Sequence, residues 1–303
     1  MRILAALGGN ALLRRGEPAE AAAQQRNVAA AAQELAALAA EHELVITHGN
    51  GPQVGLLALQ SEGYERIAPY PLDVLGAESE GMVGYMLELA LRNSLPDHDL
   101  VTVLSEVVVR ADDPAFGSPS KPIGPVYPGD EARRLVAERG WSIGPDGSGF
   151  RRLVPSPEPQ AIVEMRSLRT LVEAGVLVIC AGGGGIPVAL NGDGTMHGVE
   201  AVVDKDLTAS LLARRLDADL LLMLTDVDAV CVDWGEEGER ALADVSPAEL
   251  REHSFASGSM GPKVEAASRF VEATGRRAAI GELRRAVEIA RGDSGTQVSA
   301  RCA

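Results

Sequence analysis

VLVICAGGGGIPV, residues 176–188, is the stretch that decides the fold. Val176 to Ala181 is an unbroken apolar run of strand length, and it stops at four consecutive glycines, Gly182 to Gly185. Such a run reads as a buried strand ending in a tight loop. The pattern occurs twice more. Ile3 to Leu7 runs into Gly8-Gly9-Asn10, and Glu43 to Thr47 runs into His48-Gly49-Asn50-Gly51-Pro52. In an open parallel sheet, ligands bind outside the carboxyl ends of the strands. Glycine lets a backbone approach an oxyanion there, and the N–H groups of the following helix turn face it. One such loop is no more than a tight strand-to-helix turn. Three of them, each at a strand end, converge on one edge of a sheet.

Helical patterns separate these strands, at Ala19 to Ala40, Val54 to Glu62 and Leu75 to Leu95. Leu100 to Val109 is a long strand candidate interrupted by Ser105 and Glu106. A helix near Ala161 to Ala174 precedes the strand at Val176, and VVDKD, residues 202–206, opens a helix running to Leu216. Leu220 to Leu224 is an apolar strand ending in Thr225-Asp226. Beyond it come a hairpin around Val230 to Ala241, a short helix capped by Ser246, and a helix from Met260 with Pro262 in its first turn. A strand at Ala278 to Ile280, a helix at Glu282 to Arg291 and a closing Thr296 to Val298 follow. This alternation predicts an α/β fold with a mainly parallel sheet and helices on both faces. Ala111 to Pro155 breaks it with clustered prolines and glycines, a short helix at Glu131 to Arg139 and a hairpin turn at Asp146-Gly147. Structureless loops of that length are uncommon in compact domains, so the segment reads as a small inserted subdomain.

The composition narrows the chemistry. The 303 residues are 46% hydrophobic but only 3% aromatic, so the core is built from Ala, Val, Leu and Ile. A net charge of −15 argues against nucleic acid and anionic membrane as partners, since both need clustered cations. It leaves room for a small phosphorylated ligand held by a few cations and backbone N–H groups. Of the 28 Lys and Arg side chains only Lys121, Lys205 and Lys263 are lysine, in SPSKPIGP, VVDKD and GSMGPK. A chain that writes Arg wherever a charge sits in water keeps Lys where a compact ammonium must touch a small oxyanion, because the planar guanidinium does not substitute for it there. Cys180, Cys231 and Cys302 are sparse and unclustered, which reads as a reduced, cytoplasmic protein with Cys180 and Cys231 in the core. No Cys/His spacing forms a metal cage. The apolar start MRILAALGGN is too short for a secretory leader, and no apolar run approaches the roughly 20 residues of a membrane span.

None of the loops is a GxxxxGK[ST] P-loop, GGGGIP does not fit GxGxxG, and no GxSxG elbow is present. His48 adjoins a glycine loop and invites reading as a general base. Transfer to an already anionic nucleophile needs little proton chemistry, which favours a backbone-fixing role instead. Anion cradles plus isolated lysines suit phosphoryl transfer, where catalysis is positioning and charge neutralisation.

ALGGNAL, THGNGPQVG, KPIGP, VPSPEP, CAGGGGIPV, GVEAVVDKD, LTDVDAV and SGSMGPKVEAA occur in this order from Ala6 to Ala267. Together they resemble the successive signatures of the carbamate kinases, a branch of the amino acid kinase family. The resemblance implies a three-layer αβα sandwich with an open, mainly parallel sheet and a small protruding subdomain at about 111–155. Residues 1–190 would form the lobe that binds carbamate and the phosphoryl group, and 191–303 the nucleotide lobe. Gly8, Gly9, Asn10, Gly49, Asn50, Gly51, Gly183 and Gly184 would hold carbamate and the phosphoryl group in flight. Lys121 would fold over the substrate from the subdomain. Lys205 would neutralise the phosphoryl charge, Asp206 would orient the lysines, and Lys263 would contact the terminal phosphate of the nucleotide. Thr225, Asp226 and Met260 would line the nucleotide pocket. Related kinases carry a first-strand lysine where this chain has Ala6, and Lys121 would replace it. The helix after the second loop has Glu80-Gly81 where the family has Gln-Gly, which would set an extra carboxylate against an anionic substrate. The implied activity is ATP plus carbamate giving ADP plus carbamoyl phosphate, with Mg²⁺ on the nucleotide and a homodimeric assembly, for which Met82, Met86 and Leu89 offer an apolar helix face. A kinase of another small carboxylate or phosphonate, and a non-catalytic sensor on the same fold, are the alternatives. Retention of all three lysines and Asp206 counts against the sensor.

Overall fold

The computed structural model describes residues 1–13, 17, 20–64, 66–256 and 258–300, with Asn10 and Ala11 described by their backbone alone. Ala19, Ser257 and Cys302, named above in a helix, a motif and the cysteine set, lie outside the described residues.

Eight strands form the main sheet: β1 (Arg2–Leu7), β2 (Glu43–His48), β3 (Leu100–Val103), β4 (Leu177–Cys180), β5 (Leu220–Thr225), β6 (Asp244–Val245), β7 (Arg277–Glu282) and β8 (Thr296–Val298). Their spatial order is β6-β8-β7-β5-β1-β2-β4-β3, parallel throughout except for the β7–β8 pair. Side chains alternate across the sheet with period two. Leu4 and Ala6 of β1 join Val45, Val178, Cys180, Leu221 and Met223 on one face, packed against helices Met165–Glu173, α4 (Lys205–Arg215) and α5 (Met260–Thr274). Ile3, Ala5 and Leu7 face the other way with Leu44, Ile46, Ile179 and Leu222, under α1 (Ala21–Ala39) and α3 (Leu72–Ser94). The result is a three-layer αβα sandwich. Each fully buried Leu or Ile contributes roughly 1.5–3 kcal/mol, so these two apolar layers dominate the stability.

The interruption at Ser105 and Glu106 is a change of sheet. Leu100–Val103 ends the main sheet beside β4, and Glu106–Val109 enters a second, four-stranded sheet with Ile186–Leu190, Met196–Gly198 and Ala161–Ile162. The two chain runs stay paired across the joint, since the Ile186 N–H donates to the Ser105 carbonyl at 2.8 Å. The residues expected to start a helix at Ala161 are instead an edge of this second sheet, and the helix runs over Met165–Glu173. Cys180 is buried as expected, whereas Cys231 is only half-buried on its short hairpin.

Residues 121–154 build a sheet of their own. Lys121–Tyr127, Gly149–Val154 and Ser142–Asp146 pair antiparallel, with helix Gly129–Arg139 packed on them. Tyr127, Ala132 and Leu135 with Trp141, Ile143 and Phe150 make a separate small core. This sheet meets the main body on α2 (Gly51–Glu62), where Val54 and Ala58 pack with Ile123 and Val154.

Candidate active site

The strand order sets four loops side by side at the carboxyl ends of β5, β1, β2 and β4: Thr225-Asp226, Gly8-Gly9-Asn10, Gly49-Asn50-Gly51 and Gly182 to Gly185. They are in backbone contact. The Gly8 N–H donates to the Leu224 carbonyl at 2.7 Å and the Gly49 N–H to that of Leu7 at 3.0 Å. A Cβ on Gly49 would stand 2.7 Å from the Gly9 nitrogen, which explains why only glycine lets these two loops close together. Gly183 (φ +69°) lies over the Asn50 amide, 2.1 Å from where its own Cβ would be. Asn50 is itself held from below, its Nδ2 donating to Ser79 Oγ at 2.7 Å. The Gly184 carbonyl accepts from Thr208 Oγ1 on α4 at 3.0 Å.

The three lysines, from three distant parts of the chain, meet on two carboxylates of one helix start. Lys121 Nζ lies 2.6 Å from Asp204 Oδ2, Lys205 Nζ 2.6 Å from Asp206 Oδ1, and Lys263 Nζ 3.0 Å from Asp206 Oδ2. Asp204 is also the N-cap of α4, accepting from the N–H groups of Asp206 and Leu207 through its other oxygen. One residue thus starts the helix and receives the lysine of the outlying sheet. Lys205 directly follows that cap, and Lys263 sits in the first turn of α5, so both helices aim their N-termini and a lysine at the same place.

Two ammonium groups share the buried Asp206. Burial works against the Asp206 carboxylate, but Lys205 and Lys263 together hold it well below the usual carboxylate range. Burial pulls the Lys205 ammonium below its ordinary value despite the attraction of Asp206. At Lys263 burial is outweighed by Asp206, with Asp204 and Asp226 adding to it, and the ammonium is held above its ordinary value. An incoming oxyanion would find both lysines largely desolvated and already oriented.

Most residues singled out from the sequence come together here: Lys121, Lys205, Asp206 and Lys263 through their ion pairs, and Gly8, Gly9, Gly49, Asn50, Gly51, Gly183 and Gly184 in adjoining loops. Asn10 contributes the backbone of a one-turn helix, Gly9–Leu12. Thr225 is buried beside Gly8 and donates to Asp226 Oδ1 at 3.1 Å. Met260 opens α5 and packs on the core, away from the ion pairs of the lysines. His48 is fully buried. Burial pushes its imidazole down to about 4, and its Nδ1 lies 3.3 Å from the Gly49 carbonyl, so it supports backbone rather than accepting a substrate proton. Glu80, expected to set a carboxylate against the substrate, points at the Gly182 N–H, 2.9 Å away. Asp204, Ser79 and Ser105 were missed; for Asp204 the signal was its place as a capping residue before α4.

The chain matches the amino acid kinase family over residues 1–282. The carbamate kinase of Haemophilus influenzae is 53% identical over 300 residues, covering 99% of this chain and 97% of that one. The solved structure of the carbamate kinase from Giardia lamblia bound to citric acid superimposes with a TM-score of 0.93 at 40% identity, covering 98% of both chains. The same enzyme bound to AMP-PNP gives a TM-score of 0.89 at 39% identity, again over 98% of both chains.

Proposed function

The chain belongs to the amino acid kinase family, and from that premise we propose a reading of its site: it interconverts ATP plus carbamate and ADP plus carbamoyl phosphate, the carbamate kinase reaction. The observation that carries the reading is the meeting of Lys121, Lys205 and Lys263 on Asp204 and Asp206 beside three glycine loops. A carbamate oxygen attacks the γ-phosphorus in line. The backbone amides of Gly8 to Asn10 and Gly49 to Gly51 hold carbamate and the phosphoryl oxygens, and Gly183 and Gly184 close the cradle. Lys205 and Lys121 neutralise the charge that spreads over the equatorial oxygens, while Asp206 keeps Lys205 and Lys263 aimed. Lys263 meets the terminal phosphate of the nucleotide, whose pocket is lined by Thr225, Asp226 and Met260. Ala6 leaves the first strand without a cation, and Lys121 supplies that charge from the small sheet.

Mg²⁺ would enter with the nucleotide and neutralise phosphate charge there, a role that requires no all-protein metal cage. The working direction is ATP synthesis from carbamoyl phosphate, in the cytoplasm. Among the described residues no helix is long and apolar enough to cross a membrane. Residues 1–190 form the carbamate lobe with the subdomain at 111–155, and 191–303 form the nucleotide lobe. A homodimer fits the exposed Leu89 of the face read from the sequence, joined by the exposed Tyr85 on α3, whereas Met82 is half-buried and Met86 packs on the core; light scattering checks it against the 31.7 kDa of one chain. The decisive assay mixes purified protein with ADP, carbamoyl phosphate and Mg²⁺. ATP should form well above the spontaneous decay of carbamoyl phosphate; folded protein giving none would sink the reading.

A further inference from the structure

Behind the third glycine loop lies a group of buried polar side chains that phosphoryl transfer itself does not use. Ala181, which leads into the loop, has φ +51°, a left-handed backbone that costs a non-glycine residue about 1–2 kcal/mol. Both its peptide groups are held: the N–H donates to Ser105 Oγ at 3.0 Å, and the carbonyl accepts from Thr47 Oγ1 at 2.8 Å. The next N–H, of Gly182, donates to Glu80 Oε1 at 2.9 Å. Glu80 Oε2 accepts a longer bond, 3.4 Å, from the Ser105 N–H. Gly182 is clamped from the other side as well, for a Cβ there would stand 2.3 Å from the His48 ring and 3.0 Å from Glu80 Cγ. Ser79, one residue earlier on α3, holds the Asn50 amide under Gly183. One turn of α3 therefore fixes the second and third loops together.

Glu80 is 1% exposed, and among the described residues no cation is paired with it. The titratable groups facing it are His48 from β2, Cys180 from β4 and Glu164 from the turn before helix Met165–Glu173. A carboxyl so placed is more stable neutral than charged. We infer that Glu80 is a positioning residue of this site: a neutral carboxyl that accepts the Gly182 N–H and holds the Gly182–Gly185 loop in its anion-binding shape, and whose ionisation sets a negative charge behind the loop and weakens binding of the anionic substrate. The inference rests on the phosphoryl-transfer reading for what the loop binds, but not for how the loop is held. Burial, with Glu164 adding to it, pushes this carboxyl up to about 8. Below that pH the loop faces substrate with a neutral support. Above it a buried anion repels carbamoyl phosphate, so KM rises while kcat changes less.

The test compares wild type with Glu80→Gln and Glu80→Leu. Glutamine keeps an acceptor for the Gly182 N–H but cannot ionise; leucine keeps the volume and removes the acceptor. In wild type, KM for carbamoyl phosphate should rise on the order of tenfold across pH 8, and the Glu80→Gln profile should lack that inflection with kcat at pH 7 within about twofold. Glu80→Leu should raise KM at pH 7 by about tenfold or more and speed amide exchange at Gly182, which Glu80→Gln should leave protected. An unchanged inflection in Glu80→Gln, or wild-type KM and exchange in Glu80→Leu, would overturn the inference. If Glu80→Leu fails to fold, the Glu80→Gln profile still decides. If wild type turns over no carbamoyl phosphate, the proposed reaction fails, and two activity-free readouts still judge Glu80: Gly182 exchange, and the thermal advantage of Glu80→Gln over wild type. The folded-state value is raised, so wild-type stability falls as pH climbs from about 4.5 through 8, and that advantage should grow across the same window.

Discussion

Lys205 and Lys121 carry the same charge into the same site on unlike supports. Lys205 stands at the start of a core helix, 11% exposed, and shares Asp206 with Lys263 from a second core helix. Its carboxylate partner and the lysine sharing that partner both stand on helices of the main sandwich. Lys121 begins the first strand of the small outlying sheet, is 31% exposed, and reaches Asp204 across the junction between that sheet and the body. One lysine is placed by the same packing that folds the protein. The other is delivered by a unit with its own small core, seated on α2. The difference teaches that the site is preorganised on one side and assembled on the other. The loss of each lysine should therefore look different in stability even where it looks alike in rate.

Lysine-to-arginine exchange tests this with charge conserved. Lys205→Arg and Lys121→Arg should each lower kcat by about 10²–10³, the loss expected for a misplaced preorganised donor. Only Lys205→Arg should also destabilise the fold, by about 1–3 kcal/mol, because a larger head group must be forced between packed helices. Lys121→Arg should stay within about 0.5 kcal/mol of wild type, as surface exchanges do. Denaturant melts run beside turnover assays separate the two. Equal destabilisation by both would erase the comparison, and near-wild-type turnover in Lys205→Arg would mean that its place in VVDKD is structural.

Much of the contrast was legible in the sequence. Apolar strands ending in glycine loops gave the main sheet and the edge on which a ligand sits, since both signals are local. The three lysines stood out against an arginine-rich composition, and Asp206 lay beside one of them. The Pro/Gly texture of 111–155 marked the segment that forms the small sheet. What was not legible depends on contacts between distant residues. Ser105 could be seen to interrupt a strand, but its role as the joint between two sheets depends on pairing with Ile186. Glu80 could be seen on a helix, yet its direction is set by a loop 102 residues away. Periodicity says which face of a helix is buried, not which backbone amide that face will meet. Asp204 was read past because a helix cap is so ordinary a use of aspartate that its second partner, Lys121, leaves no mark nearby.

The seat of the small sheet offers the finest test. Gly55 on α2 and Gly124 in the strand that begins with Lys121 touch backbone to backbone: a Cβ on Gly55 would stand 2.1 Å from Gly124 Cα and 2.3 Å from its nitrogen. No side chain there can rotate out of the way, so Gly55→Ala must push the strand off the helix by an ångström or more. Lys121 lies three residues from the contact on that strand, and a misplacement of about 1 Å can cost up to about 10² in rate. Part of the shift will be absorbed along the strand before it reaches the lysine. Gly55→Ala should therefore lower kcat about tenfold, less than removing the ammonium outright. Nucleotide affinity should be untouched, because Lys263, Asp206 and Lys205 are held by α4 and α5. Gly76→Ala on α3, where a Cβ meets nothing within 4 Å, is the matched control and should leave turnover unchanged. A Gly55→Ala protein with full activity would show that Lys121 reaches its place without that seat. One that loses nucleotide affinity as well would show that the two supports are not independent, and the division between a preorganised and an assembled half of the site would have to be given up.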